Sequence, residues 1–226
     1  MFYSNKRADS KTAAGTRSLT QEAINLEYLL QSTNEEPASV DTASKLKIAH
    51  KIATTVLQYN STPWLREDWR LKDLSYFGNT QGLSDESLRT LHLTFCFNQS
   101  TQDPEFNGIR WRSAMSPDST YSSMESISYQ YGIINTSLFS LGVALLELAY
   151  HQTLEQICGA QDPIVAVRKK AMSGYPLGQK YQKIILQCLQ CNFGMGSDLA
   201  KPDLQTAIYG DVICSLEEMI SSLTLD

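Results

Sequence analysis

Two cysteines at a metal-ligand spacing are the residues of this 226-residue chain whose types and positions could most directly do chemistry. Cys188 and Cys191 are separated by two residues, which is the spacing of one half of a structural zinc site. No second cysteine or histidine pair lies near them, and the nearest histidine in the sequence is His151. Both cysteines share a predicted helix face with Ile184 and Ile185, so we interpret them as buried thiols and predict no metal site.

The other groups that could catalyse a reaction are dispersed along the chain. The three histidines, His50, His92 and His151, show no spacing that pairs a nucleophile with a base and a third, orienting group. The glycines of Gly194–Gly196 are too few to hold a phosphate, and this segment is predicted to be a turn. The sequence therefore predicts no catalytic residue and no bound cofactor.

The overall composition narrows the class of partner. A formal net charge of −5 and a pI near 5.3 disfavour nucleic acid, which is bound by clustered Lys and Arg. The most apolar stretch, Leu138 to Tyr150, is too short to span a bilayer and contains Glu147. The polar start of the chain does not resemble a signal peptide. We therefore expect a cytoplasmic protein with reduced cysteines and a protein partner.

Hydrophobic periodicity predicts a mainly α-helical domain with a few short strands. Residues 1–17 are polar and are predicted to be a disordered tail, and residues 18–226 to form one domain. A strand is predicted over Leu91–Phe97, and residues 98–130 are predicted to be a long irregular loop. Helices are predicted over residues 19–30, 41–59, 136–150, 162–172, 179–192 and 203–223.

Aromatic residues in two segments could contact a partner. Trp64 and Trp69 could form an exposed recognition patch, but we favour a core role for both because indoles bury large apolar areas. The second segment is the predicted loop, whose aromatic residues are the better candidates for a partner surface. An insertion without a binding role is the alternative. The candidate loop residues are Trp111, Tyr121, Tyr129 and Tyr131.

Three helical segments resemble those of a protein-kinase C-lobe. Ser140–Leu148, with the sequence SLGVALLEL, resembles its central helix. Leu46–Tyr59 resembles the long helix before the catalytic loop, and Tyr181–Leu189 resembles a later helix. The resemblance implies a kinase C-lobe-like fold, and the apolar residues around the SLGVALLEL helix predict that it is buried on most sides.

A closer resemblance is to a fungal kinase-like domain of unknown function, often fused behind HeLo-type or prion-inhibition domains. Its motifs correspond here to Leu57–Leu65, with the sequence LQYNSTPWL, then Trp69, and later Val212–Met219. The motifs occur in the same order as in that family, and the resemblance covers roughly residues 18 to 226. The resemblance implies structural roles for Pro63, Trp64, Trp69, Gly142 and Glu147.

The chain departs from kinases where phosphoryl transfer needs a base, metal-holding carboxylates and a phosphate-gripping Lys. Ser61–Trp64 stands in place of the catalytic loop motif, and Ser137 replaces the central-helix Asp that anchors that loop. No glycine-rich loop or D-F-G motif is present, and too little sequence precedes the long helix for a complete N-lobe. We therefore expect Trp64 to be mostly buried beside the central helix, filling the vacated groove.

The expected function is accordingly that of a non-catalytic, pseudokinase-type interaction module. The resemblance implies a role in fungal signalling or heterokaryon-incompatibility-type responses. Two alternatives remain open from the sequence: an atypical transferase with a rebuilt nucleotide site, and a truncated fragment of a larger kinase-like protein with an uncovered surface.

Overall fold

The computed structural model describes residues 23–31, 40–66, 68–78, 84–94 and 124–223, so the predicted tail over residues 1–17 lies outside it. The described part is mainly helical with one small antiparallel sheet, as the sequence predicts. The strands are β1 (Ala23–Asn25), β2 (Leu74–Phe77) and β3 (His92–Leu93). The helices are α1 (Tyr28–Gln31), α2 (Thr42–Tyr59), α3 (Asp85–Arg89), α4 (Met124–Tyr131), α5 (Thr136–Tyr150), α6 (Leu154–Cys158), α7 (Pro163–Ala171), α8 (Gly178–Gln190), α9 (Pro202–Ile208) and α10 (Ser215–Leu223).

Helix α5 is the centre of the core. Its residues from Leu138 to Ala149 are all buried, because helices α2, α6, α7 and α8 pack around it. A helix that is apolar on every side must be enclosed in this way. The sequence prediction for this helix is therefore confirmed in position and in burial.

Gly142 lets α8 approach α5 closely. A Cβ atom at this position would lie 2.8 Å from Cδ2 and Cγ of Leu189 and 3.0 Å from its backbone nitrogen. Such distances are shorter than normal van der Waals contacts, so any larger residue would push the two helices apart. The predicted structural role of Gly142 is thus explained by helix packing.

Helix α2 begins and ends where its sequence indicates. The side chain of Asp41 accepts a hydrogen bond from the Ser44 N–H at 2.8 Å and caps the first turn. The helix ends at Tyr59, and Ser61 then adopts a positive φ of 60°. Its apolar face contacts α5 and packs into the core.

The small sheet corrects the prediction of a helix over residues 19–30. Of that range, Ala23–Asn25 forms β1, which pairs antiparallel with β2. The Asn25 side chain accepts a hydrogen bond from the Glu27 N–H at 2.7 Å, and the Leu26 N–H donates to Leu74 O at 2.8 Å. These local and long-range bonds satisfy the backbone in a turn and a sheet, so within the described part of this range, which starts at Ala23, only the short α1 is helical.

Two further predictions are partly wrong. The strand predicted over Leu91–Phe97 is reduced to His92–Leu93 within the described residues, followed by a hydrogen bond from Thr94 N–H to Asp73 O at 2.7 Å. The predicted loop over residues 98–130 includes most of helix α4. Residues 95–123 lie outside the described residues.

The final predicted helix is confirmed as one continuous helical stretch from Pro202 to Leu223. A six-residue π-helical segment, Tyr209–Cys214, joins α9 to α10. Within the described ranges, no helix is long and apolar enough to cross a membrane.

Candidate partner-binding site

The turn after α2 presents an exposed indole. Thr62 donates to Tyr59 O through both its N–H, at 3.1 Å, and its hydroxyl, at 2.7 Å, and the Leu65 N–H donates to Thr62 O at 3.3 Å. Pro63 restricts the backbone between these bonds. Trp64 lies on this turn and is 57% exposed.

The exposure of Trp64 shows that the prediction of a buried position beside the central helix is wrong. The apolar residues that line the cleft at the start of α5 are Leu65 and Leu199, and Leu199 is buried. Trp69, only 2% exposed, is the buried indole of this segment, so its predicted core role is confirmed.

A cleft of about 340 Å³ lies next to the Trp64 turn. It is bounded by the turn, by the first residues of α5 and by the segment 197–200. The Asn60 side chain donates to Leu199 O at 2.8 Å, and the Asn135 side chain donates to Ser197 O at 3.0 Å. These two bonds fix the far wall of the cleft. Its lining residues are Asn60, Ser61, Thr62, Leu65, Asn135, Thr136, Ser137, Ser197, Asp198, Leu199 and Ala200.

The lining of the cleft can form further hydrogen bonds. Four side-chain hydroxyls, those of Ser61, Thr136, Ser137 and Ser197, form no hydrogen bond with another described residue. Asp198 is the ionisable residue of the lining, and its Oδ1 accepts from the Ala200 N–H at 3.0 Å. Hydroxyls that both donate and accept suit neutral polar groups such as peptide amides.

A buried contact between Arg70 and Glu147 joins the segment after the turn to the core. Nη2 of Arg70 lies 3.8 Å from Oε1 of Glu147 and 3.5 Å from Oε1 of Glu155. Glu147 is 1% exposed, and its Oε1 also accepts a hydrogen bond from the Leu154 N–H at 2.7 Å. Glu147 thus connects α5, the start of α6 and Arg70, which is a structural role, as the resemblance implies.

Burial changes the protonation of the Glu147 carboxyl group. Loss of solvation raises the pKa of Glu147 to about 8, although the nearby Arg70 charge and the Leu154 N–H act in the opposite direction. Loss of solvation also raises the pKa of the neighbouring Glu27, with a further contribution from Glu155. Oε2 of Glu147 has no hydrogen-bond partner among the described residues, in keeping with a carboxyl group that is readily protonated.

The four aromatic residues predicted as a partner surface differ in position and exposure. Trp111 and Tyr121 lie outside the described residues. Tyr129 is 93% exposed at the end of α4. Tyr131 packs partly against the core, and its hydroxyl donates to the Asp162 carboxylate at 2.7 Å. Asp162 caps α7, so Tyr131 has a structural contact that the sequence did not reveal.

The cysteine pair is buried, in agreement with the sequence interpretation. Cys188 is fully buried on the α8 face that contacts α5, and Cys191 is 8% exposed at the end of α8. Burial raises the pKa of both thiols, which disfavours the thiolate form that binds metals. No cluster of His, Cys, Asp and Glu able to hold a metal occurs in the part of the chain that the structure describes.

Sequence reasoning missed three residues that organise this region. Arg70 and Asn60 act through contacts with segments distant in the chain, for which no local sequence signal exists. Asn135 does have a local sequence signal, because Asn immediately before an apolar helix is a common N-cap. Its side chain accepts a hydrogen bond from the Leu138 N–H at 2.9 Å.

The fold and the cleft define a helical domain with an exposed tryptophan beside a hydroxyl-lined pocket. Comparison with protein families shows that the chain belongs to the family described as a domain of unknown function (DUF7580), whose model matches residues 3–223. Neither a curated protein nor a solved structure matches the chain.

Proposed function

We propose that this domain is a non-catalytic, kinase C-lobe-like interaction module that binds a protein partner through the Trp64 turn and the adjoining cleft. The observation that carries the proposal is the exposure of Trp64 on a hydrogen-bonded turn beside a cleft with free hydroxyls. Exposed tryptophans are strongly enriched among the residues that dominate binding energy at protein interfaces.

The geometry of the cleft supports a peptide as the bound element. A volume of about 340 Å³ is at the small end of the range for ligand pockets and suits one side chain with its flanking amides. The hydroxyls of Ser61 and Ser137 can bond to those amides, while the Trp64 indole covers adjacent apolar groups. Because Asn60 and Asn135 fix the opposite wall, the site is preorganised.

The residues at the catalytic positions of the kinase resemblance support a binding role. Ser61–Trp64 form a rigid turn where a kinase would carry its catalytic loop, and Ser137 lines the cleft where the anchoring Asp would stand. None of these side chains can act as a carboxylate base or hold Mg²⁺. In the resemblance, such domains belong to fungal signalling or incompatibility systems, and a cytoplasmic location would accompany that role.

Site-specific photo-crosslinking tests the binding surface. A benzophenone amino acid at position 64 should capture a partner from the native cell extract, whereas the same group at Tyr209, which is 54% exposed, should not. The Ser137→Trp variant, which fills the cleft, should abolish capture from position 64. Equal capture from both positions, or capture that survives Ser137→Trp, would contradict the proposed site.

Nucleotide binding tests the non-catalytic part of the proposal. A ligand that binds only the native state raises the unfolding temperature in a concentration-dependent manner. We expect millimolar Mg-ATP to leave the unfolding temperature unchanged in differential scanning fluorimetry. A reproducible, saturable increase would support the alternative of an atypical transferase with a rebuilt nucleotide site.

A further inference from the structure

The charges of this acidic chain are unevenly distributed, and one segment is exclusively basic. Between Pro163 and Ser197 there are five cationic residues and no Asp or Glu, although the formal net charge of the chain is −5. This segment forms α7, α8 and their connection. The cationic residues are Arg168, Lys169, Lys170, Lys180 and Lys183.

The end of the α7–α8 hairpin combines these charges with exposed apolar side chains. One face of α7 carries four exposed residues at helical spacing: Val165, Arg168, Lys169 and Met172. Met172 is 76% exposed and Tyr175, in the connection, is 60% exposed. We call Arg168, Lys169, Lys170, Met172 and Tyr175 the basic tip.

Some of the basic residues have partners and others do not. Lys170 lies over the Tyr150 ring, with Nζ 4.1 Å from the ring centroid, and Lys180 forms an ion pair with Glu218. Arg168 and Lys169 form no ion pair or side-chain hydrogen bond with another described residue, and neither does Lys183. These three charges are therefore available to an external anionic group.

Helix stability explains only part of this arrangement. Basic residues in the last turn of α7 interact favourably with the helix dipole, and that role alone would account for Arg168, Lys169 and Lys170. It does not account for Met172 and Tyr175, whose apolar surfaces face solvent beside those charges. A mixture of cations and projecting apolar groups is typical of surfaces that bind the interface of a membrane.

The shape of the basic tip favours a planar partner over a peptide. Peptides are usually recognised in grooves or along open sheet edges. The basic tip consists of two helix ends and their connection, and the cavity beneath it, lined by Tyr150, Pro176 and Tyr181, has no room for a water molecule. A flat anionic surface can contact the projecting charges and apolar groups together without needing a groove.

We propose that the basic tip binds the surface of an anionic lipid bilayer, with the Met172 and Tyr175 side chains entering the headgroup region. The binding is peripheral and adds to the proposed partner site without depending on it, because the two surfaces share no residue. Electrostatic attraction of this kind is screened by salt, since the Debye length falls as ionic strength rises.

Vesicle co-sedimentation of the full chain tests the charge contribution. Binding should occur with vesicles containing phosphatidylserine, should be absent with phosphatidylcholine alone, and should weaken as salt is added. The Arg168→Gln/Lys169→Gln variant should bind roughly 25-fold more weakly, since each basic residue near an anionic surface contributes roughly fivefold. The control, Arg89→Gln/Lys201→Gln, removes the same two residue types from exposed positions elsewhere and should bind like the wild type.

A second pair of variants tests the apolar contribution. Met172→Ser/Tyr175→Ser should weaken binding to anionic vesicles and should reduce the quenching of tyrosine fluorescence by brominated lipids. The control is Met195→Ser/Tyr209→Ser, which changes the same residue types at 52% and 54% exposure. Circular dichroism should show unchanged folding for all four variants, since every substituted side chain is exposed.

Three results would overturn the proposal. The first is equal binding to neutral and anionic vesicles, and the second is equal loss of binding in the tip variants and their controls. The third is binding of the wild type to immobilised polyglutamate but not to anionic vesicles, which would assign the basic tip to an acidic protein instead.

Discussion

Replacing Glu147 by Gln should remove a large part of the pH dependence of stability. In the unfolded chain this carboxyl group loses its proton near its ordinary pKa of 4.5, whereas in the folded protein burial raises the pKa to about 8. Between these values the folded state binds more protons than the unfolded state. The contribution of Glu147 protonation to the free energy of unfolding is therefore fully present at low pH and decreases as the pH rises towards 8.

The structure sets an upper limit for this effect. A pKa difference of this size corresponds to at most about 5 kcal/mol of unfolding free energy. The pKa of about 8 already includes the opposing effect of the Arg70 charge, 3.8 Å away, and partial exposure of the site to water during unfolding would only reduce the loss. For a domain of this size, each 1 kcal/mol corresponds to about 2–4 °C in unfolding temperature. A decrease of several degrees should therefore be measurable.

The assay is urea or thermal unfolding of the wild type, Glu147→Gln and Glu155→Gln at several pH values between about 5 and 8. Gln has nearly the same shape as Glu and can still accept from the Leu154 N–H. Burial lowers the pKa of His151, which makes stability fall towards acidic pH, but this contribution is common to all three proteins. Glu155 is 39% exposed at its side chain and also contacts Arg70, so Glu155→Gln controls for the loss of a carboxylate beside that guanidinium.

A parallel pH dependence of the wild type and Glu147→Gln would refute this reasoning. It would mean that the carboxylate is ionised in the folded protein and is fully compensated by Arg70. In that case Glu147→Gln should instead be destabilised at every pH above about 5, because the buried Arg70 charge would lose one of its two carboxylate partners.

Two further substitutions test the packing. Gly142→Ala should destabilise the fold by about 1–3 kcal/mol because its Cβ would overlap Leu189, whereas Gly210→Ala, where no atom lies within 4 Å of the added Cβ, should be neutral or stabilising by up to about 1 kcal/mol. Equal effects in urea unfolding would show that α5 and α8 are not in close contact. Trp69→Ala should cost about 3–5 kcal/mol, and Trp64→Ala should cost less than about 1 kcal/mol. The opposite ranking would show that Trp64, not Trp69, is the core indole.

The helical part of the fold follows from local sequence signals. The apolar runs that predict α2, α5, α7 and α8 carry their own boundaries, such as Asp41 before α2 and Pro163 at the start of α7. The short helix α6 also had a readable signal. Thr153 and Gln156 form a reciprocal capping box, with hydrogen bonds of 3.3 and 2.9 Å, three residues apart in the sequence.

The elements that sequence reasoning mispredicted depend on partners distant in the chain. Strand β1 exists because residues 23–25 pair with residues 75–77, and helical spacing in the same segment gave the wrong prediction. Similarly, nothing near Arg70 in the sequence indicates that its guanidinium will be buried against Glu147. Pairings of this kind are determined by tertiary packing, which overrides local preference.

The two tryptophans show why the candidate site could not be predicted from the sequence. Both lie in one aromatic segment, and burial of at least one indole was a sound expectation. The choice between them depends on contacts outside the segment. Arg70, next to Trp69 in the sequence, contacts Glu147 and Glu155, and Trp69 is buried. Trp64 lies on the hydrogen-bonded turn after α2 and is 57% exposed. This exposure is the reason why we propose a partner site at the turn for which the sequence predicted a core position.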